Sequence, residues 1–382
     1  MNNAEGDAWA NPSSVHGAGR AARRYVEDSR EQIARLLEVS PRDIVFTAGG
    51  TEANHLALSG ARWLVTSRIE HPSIVAQAEA LAVGGARVEF VDVGASGIIE
   101  PLAIEEALLR VLGDCPPSVR DAQAGGISNL NTPLVAVMAV NHESGVLQPI
   151  QEISERVRAL GARLHVDAVQ LLGKGNSDPL HYADSISLCA HKIRGPKGIG
   201  ALAFGCGWTP EPLTRGGAQE RGLRPGTVDA VAVAGFAAAL SRVDASREGY
   251  KRAAHLRECL EERLLRDARP AITLHGREQP KHNHVLNFRV EGWKGDELVA
   301  ALDLAGICIS SGSACSAGSS EPSTIISAML GREAAVGAVR ISFGEESTQQ
   351  DLDVLFSALS KLGILPPQNG IQKSTEVTFA QD

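Results

Sequence analysis

The 382-residue chain is short of aromatic residues, at 4%, and lacks several patterns that would announce a function. No GxGxxG and no GKS or GKT occurs anywhere, so dinucleotide and ATP binding are poorly supported. The formal net charge is -8, with no basic stripe interleaved with aromatics, and nucleic acid is not expected as a partner. No apolar run approaches the roughly 18 to 20 residues that cross a bilayer, so no membrane is expected either. The start Met1-Asn2-Asn3-Ala4-Glu5-Gly6 has neither the basic residues nor the apolar run of a secretory signal. The cysteines (Cys115, Cys189, Cys206, Cys259, Cys308 and Cys315) are scattered, with no CxxC pair, which fits free thiols in a reducing cytoplasm and no metal site. There are no internal repeats.

What is present is aliphatic and glycine-rich, the balance of an α/β enzyme, in a chain long enough for two domains. His16 to Val39 reads as an amphipathic helix ending before Ser40-Pro41. Strands are expected at Ile44–Thr47, Leu64–Ser67, Arg87–Val93, Leu134–Val140, Arg163–Val169 and Ser185–Leu188, mostly separated by helices. Continuous apolar strands of this kind predict a parallel or mixed sheet covered on both faces. Asp114 to Thr132 reads as a surface loop. An Ala-rich helical region from about Val228 to Asp267 leads into a second unit with strands at His284–Val290, Gly306–Ser310 and Val339–Phe343, and a helix from Asp296. The expected division is 10–245 for a large cofactor-binding domain and 246–366 for a small C-terminal domain, followed by a disordered tail over 367–382.

Five stretches carry candidate chemistry. In SLCAHKIRGPKGIGALAF (187–204), Lys192 follows a strand end among glycines and apolar residues. It is either an ordinary surface amine or one desolvated enough for Schiff-base chemistry. In RLHVDAVQ (163–170), Asp167 ends an apolar strand, where a lone carboxylate is costly unless paired; it could cap a helix or hold a pyridinium nitrogen protonated. Gln170 could reach a ring oxygen or face solvent. Thr47-Ala48-Gly49-Gly50-Thr51-Glu52 is a strand–glycine–helix junction that could cup a phosphate or simply start a helix. His71 sits where a strand ends, suited to stacking on a planar cofactor or to proton transfer, or to a structural role. Finally, ISSGSACSAGSSEPS (309–323) holds Cys315 in a run too small and polar to bury it.

Taken together, NPSSVHGAGR, FTAGGTEAN, EHPSIV, VNHESGVLQPI, HVDAVQ, HKIRGPKGIGAL, GGAQERGLRPGT, SSGSACSAG and VRISFG resemble, in order, the motifs of cysteine desulfurases of the NifS/IscS type. These belong to the pyridoxal-phosphate-dependent class V aminotransferase superfamily. The resemblance implies fold type I: a large domain around a mostly parallel seven-stranded sheet and a smaller α+β domain. It implies pyridoxal 5'-phosphate as cofactor, held covalently by Lys192, which would also shuttle the substrate α-proton. Asp167 would pair with the pyridinium nitrogen and Gln170 with the ring oxygen, while His71 would stack on the ring. Gly50, Thr51, Cys189 and His191 fall at phosphate-binding positions. Thr227 falls where a homodimer partner supplies a phosphate ligand. Arg340 would grip the substrate carboxylate, as its planar fork allows. Cys315 would take sulfur from L-cysteine as a persulfide, leaving L-alanine, and pass it to an acceptor protein, either an iron–sulfur scaffold or a thiolation enzyme. A mobile Ser/Gly/Ala tether suits that traffic, and its length resembles the NifS/IscS subgroup more than the SufS-like one. Cys308, inside an apolar strand, is expected to be inert.

Three departures from the family pattern stand out. His142, in VNHESG, occupies a position near cofactor and substrate where the family usually has Asn. Cys189 replaces a Ser at a phosphate contact, and a thiol is the weaker donor. The leading strand and helix usual in the family are missing before Asn11-Pro12, so a shortened or misassigned start is expected, with the stability and activity of this chain left open. Alternative readings are a selenocysteine lyase, a class V transaminase-like enzyme, or an impaired relative acting by interaction.

Overall fold

A computed structural model describes residues 6, 8–113, 132–205, 207–282, 284–312 and 321–367. The cysteine tract with Cys315, the tail beyond 367 and nearly all of the loop expected at Asp114–Thr132 lie outside the described residues.

The large sheet has seven strands: β1 (Ile44–Thr47), β2 (Trp63–Ser67), β3 (Arg87–Val91), β4 (Leu134–Met138), β5 (Arg163–Asp167), β6 (Ser185–Cys189) and β7 (Gly200–Phe204). Their order is β1-β7-β6-β5-β4-β2-β3. All neighbours are parallel except β7, which runs antiparallel to both β6 and β1. The central strands are buried along their length, as runs such as LVAVM and SISLC require when helices cover both faces. One face packs under α1 (Gly17–Leu37), α4 (Pro101–Gly113), α5 (Ile150–Ala159) and α6 (Ala230–Leu240), and the other under α2 (Gly50–Leu58) and α3 (Pro72–Val83).

Strand β7 is not among the strands expected from the sequence. Three of its residues, Gly200, Ala201 and Ala203, are small and weak in β propensity, and none is β-branched. Contact geometry explains them: a Cβ at Gly200 would lie 2.6 Å from the Leu188 carbonyl oxygen and 2.7 Å from the Gly49 carbonyl carbon. Strand β1, at the sheet edge, has the Phe46 N–H donating to the Glu220 carboxylate (2.8 Å), which also takes a two-pronged ion pair from buried Arg30 (2.7 and 2.9 Å). A side chain thus satisfies an edge N–H that would otherwise stand exposed to pairing.

The second sheet is antiparallel, ordered β10 (Ala338–Ser342), β9 (Val285–Val290), β8 (Ile272–Leu274), and packs with α7 (Val243–Asp267), α8 (Gly295–Asp303) and α11 (Gln349–Lys361). The expected strand at Gly306–Ser310 does not form. Only an isolated bridge joins Ser310 to Arg340, and Cys308 is exposed rather than buried in a strand. The apolar run is too short, with Gly306 at positive φ (76°) at its start, to hold a ladder. Short α9 (Thr324–Leu330) and α10 (Arg332–Gly337) return to the large core, which receives Ile325, Ile326 and Met329.

The loop 141–147 joins the two sheets. Asn141 Nδ2 donates to the Ile69 carbonyl (3.0 Å), and the Asn141 Oδ1 accepts from the Glu143 and Ser144 N–H groups. From the smaller sheet, Asn287 Nδ2 donates to the Glu143 carbonyl (3.1 Å) and the His282 N–H to the Gly145 carbonyl (2.7 Å). Gly145, at φ 75°, lets Val285 approach: a Cβ there would sit 3.1 Å from that of Val285. His142, between these anchors, is held against the sheet's carboxyl end.

Candidate active site

Parallel strands leave a crevice beyond their carboxyl ends, and a cavity lies there. It holds about 390 Å³ and is lined by Met138 from β4, Asp167 from β5, Lys192 just past β6 and His71 just past β2. From the smaller sheet comes Arg340, from the residue just before β9 comes His284, and from α7 comes Tyr250. Gln170, His142 and Lys174 complete the polar wall.

Asp167 is 7% exposed and firmly placed. Asn54 Nδ2 donates to its Oδ2 (2.8 Å), and the Val169 N–H donates to its Oδ1 (3.0 Å). Asn54 is itself anchored: its Nδ2 reaches Ser73 Oγ (2.9 Å) and its Oδ1 meets His165 Nε2 (3.1 Å). His165 Nδ1 pairs with Ser185 Oγ (2.8 Å). Neither Asn54 nor His165 was read from the sequence as part of the site. The only signal for the second is an imidazole in the middle of the apolar run RLHVD.

Burial lowers His165 from the ordinary 6.5 to about 3, and does the same to His282. Above pH 6.5 both folded and unfolded chains hold neutral imidazoles; as pH falls toward 3, only the unfolded chain takes the protons, so stability falls. From pH 7.5 to 5, wild type is expected to lose about 2 kcal/mol more stability than His165→Gln, read from urea midpoints at the two pH values. An equal loss in both proteins would show that His165 does not titrate in this way.

His71 caps α3, its Nδ1 accepting from the Ser73 N–H (3.1 Å) with Pro72 at the first helical position. Its ring centroid lies 5.3 Å from that of His142. The His71 pKa is lowered, first by burial, with Asp167 opposing and Lys192 adding. Beside it, Glu70 is buried and its carboxyl is pushed well above the usual range by burial and then by Asp167; Ser67 Oγ donates to its Oε1 (3.0 Å).

His142 is buried, and its Nε2 has no hydrogen-bond partner among the described residues. Burial, then the neighbouring His71, Arg340 and Lys192, hold it well below 6.5, so it is neutral at neutral pH. Arg340 Nη1 donates to the His142 carbonyl (2.9 Å) and Nη2 to Ser310 Oγ (3.4 Å), fixing one side of the guanidinium at the cavity wall.

Lys192 lies on a 3-10 turn, Ala190–Ile193, that ends at Arg194 in the left-handed region (φ 65°). It is exposed at the cavity, so the expected desolvation is not supplied by the protein's own side chains.

The phosphate-cup residues occupy a separate hollow of about 570 Å³ that includes Gly49, Gly50, Thr51, His191 and Lys197. The start of α2 has no side-chain cap, and Gly49 (φ 154°) opens it. A Cβ at Gly50 would come 2.8 Å from Val169 Cγ2, so the bare backbone allows the helix start to press against the β5 end. Cys189 lines neither hollow; its Sγ lies 2.8 Å from His191 Nδ1 and 3.8 Å from the Ile199 carbonyl. Burial raises its thiol pKa. Thr227 is exposed and also lines neither hollow.

An amine past a strand end, a fixed carboxylate in the same crevice and an arginine facing in from a second sheet are the groups a pyridoxal-phosphate site of the class V fold requires, with an uncapped helix start nearby. The sequence profile of the family described as "Aminotransferase class-V" matches residues 4–111 and 122–355. The "IscS-like cysteine desulfurase" of Mycobacterium tuberculosis is 35% identical over 370 residues, covering 91% of this chain and 88% of the relative. Two solved structures superpose well. A NifS-like protein from Rickettsia africae has a TM-score of 0.78 at 29% identity, covering 92% of this chain and 91% of that one. "SspA in complex with cysteine" has a TM-score of 0.73 at 29% identity, covering 91% and 94%. The chain belongs to the class-V aminotransferase family, among the cysteine desulfurases of the NifS/IscS type.

The residues present fit the cofactor. Asp167, buried and already held by two donors, can balance a pyridinium nitrogen. The glycine-opened, uncapped start of α2 offers N–H groups to a phosphate. No helix among the described residues is long and apolar enough to cross a membrane.

Proposed function

We propose that this chain converts L-cysteine to L-alanine and a protein-bound persulfide, which it passes to an acceptor protein. The observation that carries this reading is the convergence of Lys192, Asp167 and Arg340 on one cavity at the carboxyl ends of β4 to β6. Pyridoxal phosphate, when bound, supplies an electron sink for the carbanion left after loss of the substrate α-proton.

The chain's own residues divide the remaining work. Lys192 is the amine that holds the cofactor and moves the α-proton, and its exposed position leaves it the reach to do both. Asp167 keeps the ring nitrogen protonated, with Asn54 and the Val169 N–H stopping the carboxylate from turning away. His71, pinned by Ser73, would hold the ring from one face, and its lowered pKa leaves a neutral imidazole able to accept a proton. Gly50, Thr51 and His191 would receive the phosphate, with Cys189 behind them holding His191 Nδ1 (2.8 Å) and Thr227 of a second copy completing the site in a homodimer. Arg340 binds the substrate carboxylate. Cys315, on its tether, attacks the substrate sulfur: the thiolate forms the S–S bond as the C–S bond breaks, and the carbon keeps the electron pair that becomes alanine's new C–H bond. The solved relative whose complex holds cysteine supports a cavity of this kind for that substrate.

His142 is expected to shape substrate handling and not cofactor retention. Because it is neutral at neutral pH and charges only in acid, His142→Asn should keep full cofactor content while flattening the acid limb of the turnover profile. Turnover from pH 5 to 9 with cofactor absorbance measured in parallel checks this. An unchanged profile would make His142 a bystander.

A further inference from the structure

Lys174 has no part in the roles above, yet it lies in the wall of the same cavity and is 4% exposed. It belongs to a turn that packs tightly after β5, where the Lys174 N–H donates to the Leu171 carbonyl (3.1 Å). Its Nζ meets Gln170 Oε1 at 2.5 Å. An ammonium has three donors and no acceptor, so in its charged form this contact can only be N–H to oxygen. Amide oxygen and nitrogen cannot be told apart by shape, but here the partner decides between them. With its oxygen drawn to Lys174, Gln170 presents its pair of N–H donors to the cavity it lines, the oxygen keeping only its second lone pair.

We propose that Lys174 is a positioning residue that holds the Gln170 amide with N–H, and not oxygen, turned toward the oxygen substituent of the cofactor ring. This rests on the reading of the cavity given above.

Burying an amine is costly unless it contributes something other than volume, since an apolar side chain of the same length would fill the space without the penalty. Burial, then the Lys192 and Arg340 cations, bring Lys174 down to about 7. The neutral amine can donate or accept, so the charged form, which an anionic ring oxygen nearby favours, is the one that locks the amide. If the lysine is removed, the amide is able to turn over and present its oxygen to the ring oxygen, two acceptors face to face.

The test is a double-mutant cycle on the whole protein, following pyridoxal phosphate affinity and the pH titration of its visible band. Lys174→Met is expected to weaken cofactor binding about tenfold and to shift the titration midpoint of the band, and Gln170→Ala to do much the same. In the Gln170→Ala background, Lys174→Met should then add nothing. Lys174→Gln, which also removes the ammonium, is run in the same cycle in case the methionine variant does not fold. Effects of Lys174 replacement that simply add to those of Gln170→Ala, or a Lys174→Met protein with wild-type affinity and band, would overturn the proposal. A wild type that binds no pyridoxal phosphate would instead overturn the reading beneath it.

Discussion

Lys192→Ala is expected to bind pyridoxal phosphate without attaching it and to lose cysteine turnover by at least about a thousandfold, the scale of a lost general base combined with a lost covalent anchor. Other lysines stand close enough to make the assignment specific: Lys174 lines the same cavity and Lys197 the neighbouring hollow. Borohydride reduction of the wild type followed by peptide mapping should put the pyridoxyl group on Lys192. A label on Lys174 or Lys197 would move the anchor and with it the whole orientation of the ring. Lys192 holds the better position because it follows β6 directly, beside the Asp167 strand end, whereas the Lys174 amine is buried and committed to Gln170.

The second large effect is expected from Cys315→Ser. The amine and ring can remove the α-proton without any protein thiol, so this variant should bind cofactor and respond to L-cysteine with a spectral change. It should not release alanine at an appreciable rate, a loss on the order of a thousandfold, because a hydroxyl is a far poorer acceptor for sulfur than a thiolate. The exposed Cys308, seven residues earlier in the sequence, makes a useful control. Cys308→Ser should retain turnover. If the Cys315→Ser variant still processes selenocysteine, whose carbon–selenium bond is easier to break, the lyase alternative gains ground.

Much of this architecture was legible in the sequence because both-face burial leaves a plain signature. Strand β4 is an uninterrupted apolar run and β5 and β6 are short, almost wholly buried segments, so Asp167 at the end of β5 and Lys192 just past β6 stand out. What was not legible has physical causes. GALAF carries no β-branched residue, so its strand character comes from the close approach of Leu188 and Gly49 that Gly200 permits. The run to Ser310 contains apolar residues in strand-like order, but Gly306 turns the backbone at its start and leaves Cys308 outside. The support behind Asp167 was invisible for a different reason. Asn54 sits on a helix more than a hundred residues earlier in the chain, and a buried Asn or His looks in sequence like any polar residue until its partners are known. Lys174 was hidden likewise, since a lysine in a glycine-rich turn reads as solvent-exposed.

The central claim is the transfer of sulfur from L-cysteine to Cys315, and one measurement reaches it directly. Wild-type protein carrying pyridoxal phosphate is exposed briefly to L-cysteine without reductant, then alanine is quantified and the Cys315 peptide is weighed by mass spectrometry. The account predicts one sulfur atom added to that peptide and one alanine formed for each. Alanine produced while the Cys315 peptide keeps its original mass, with Cys315→Ser as fast as wild type, would contradict it.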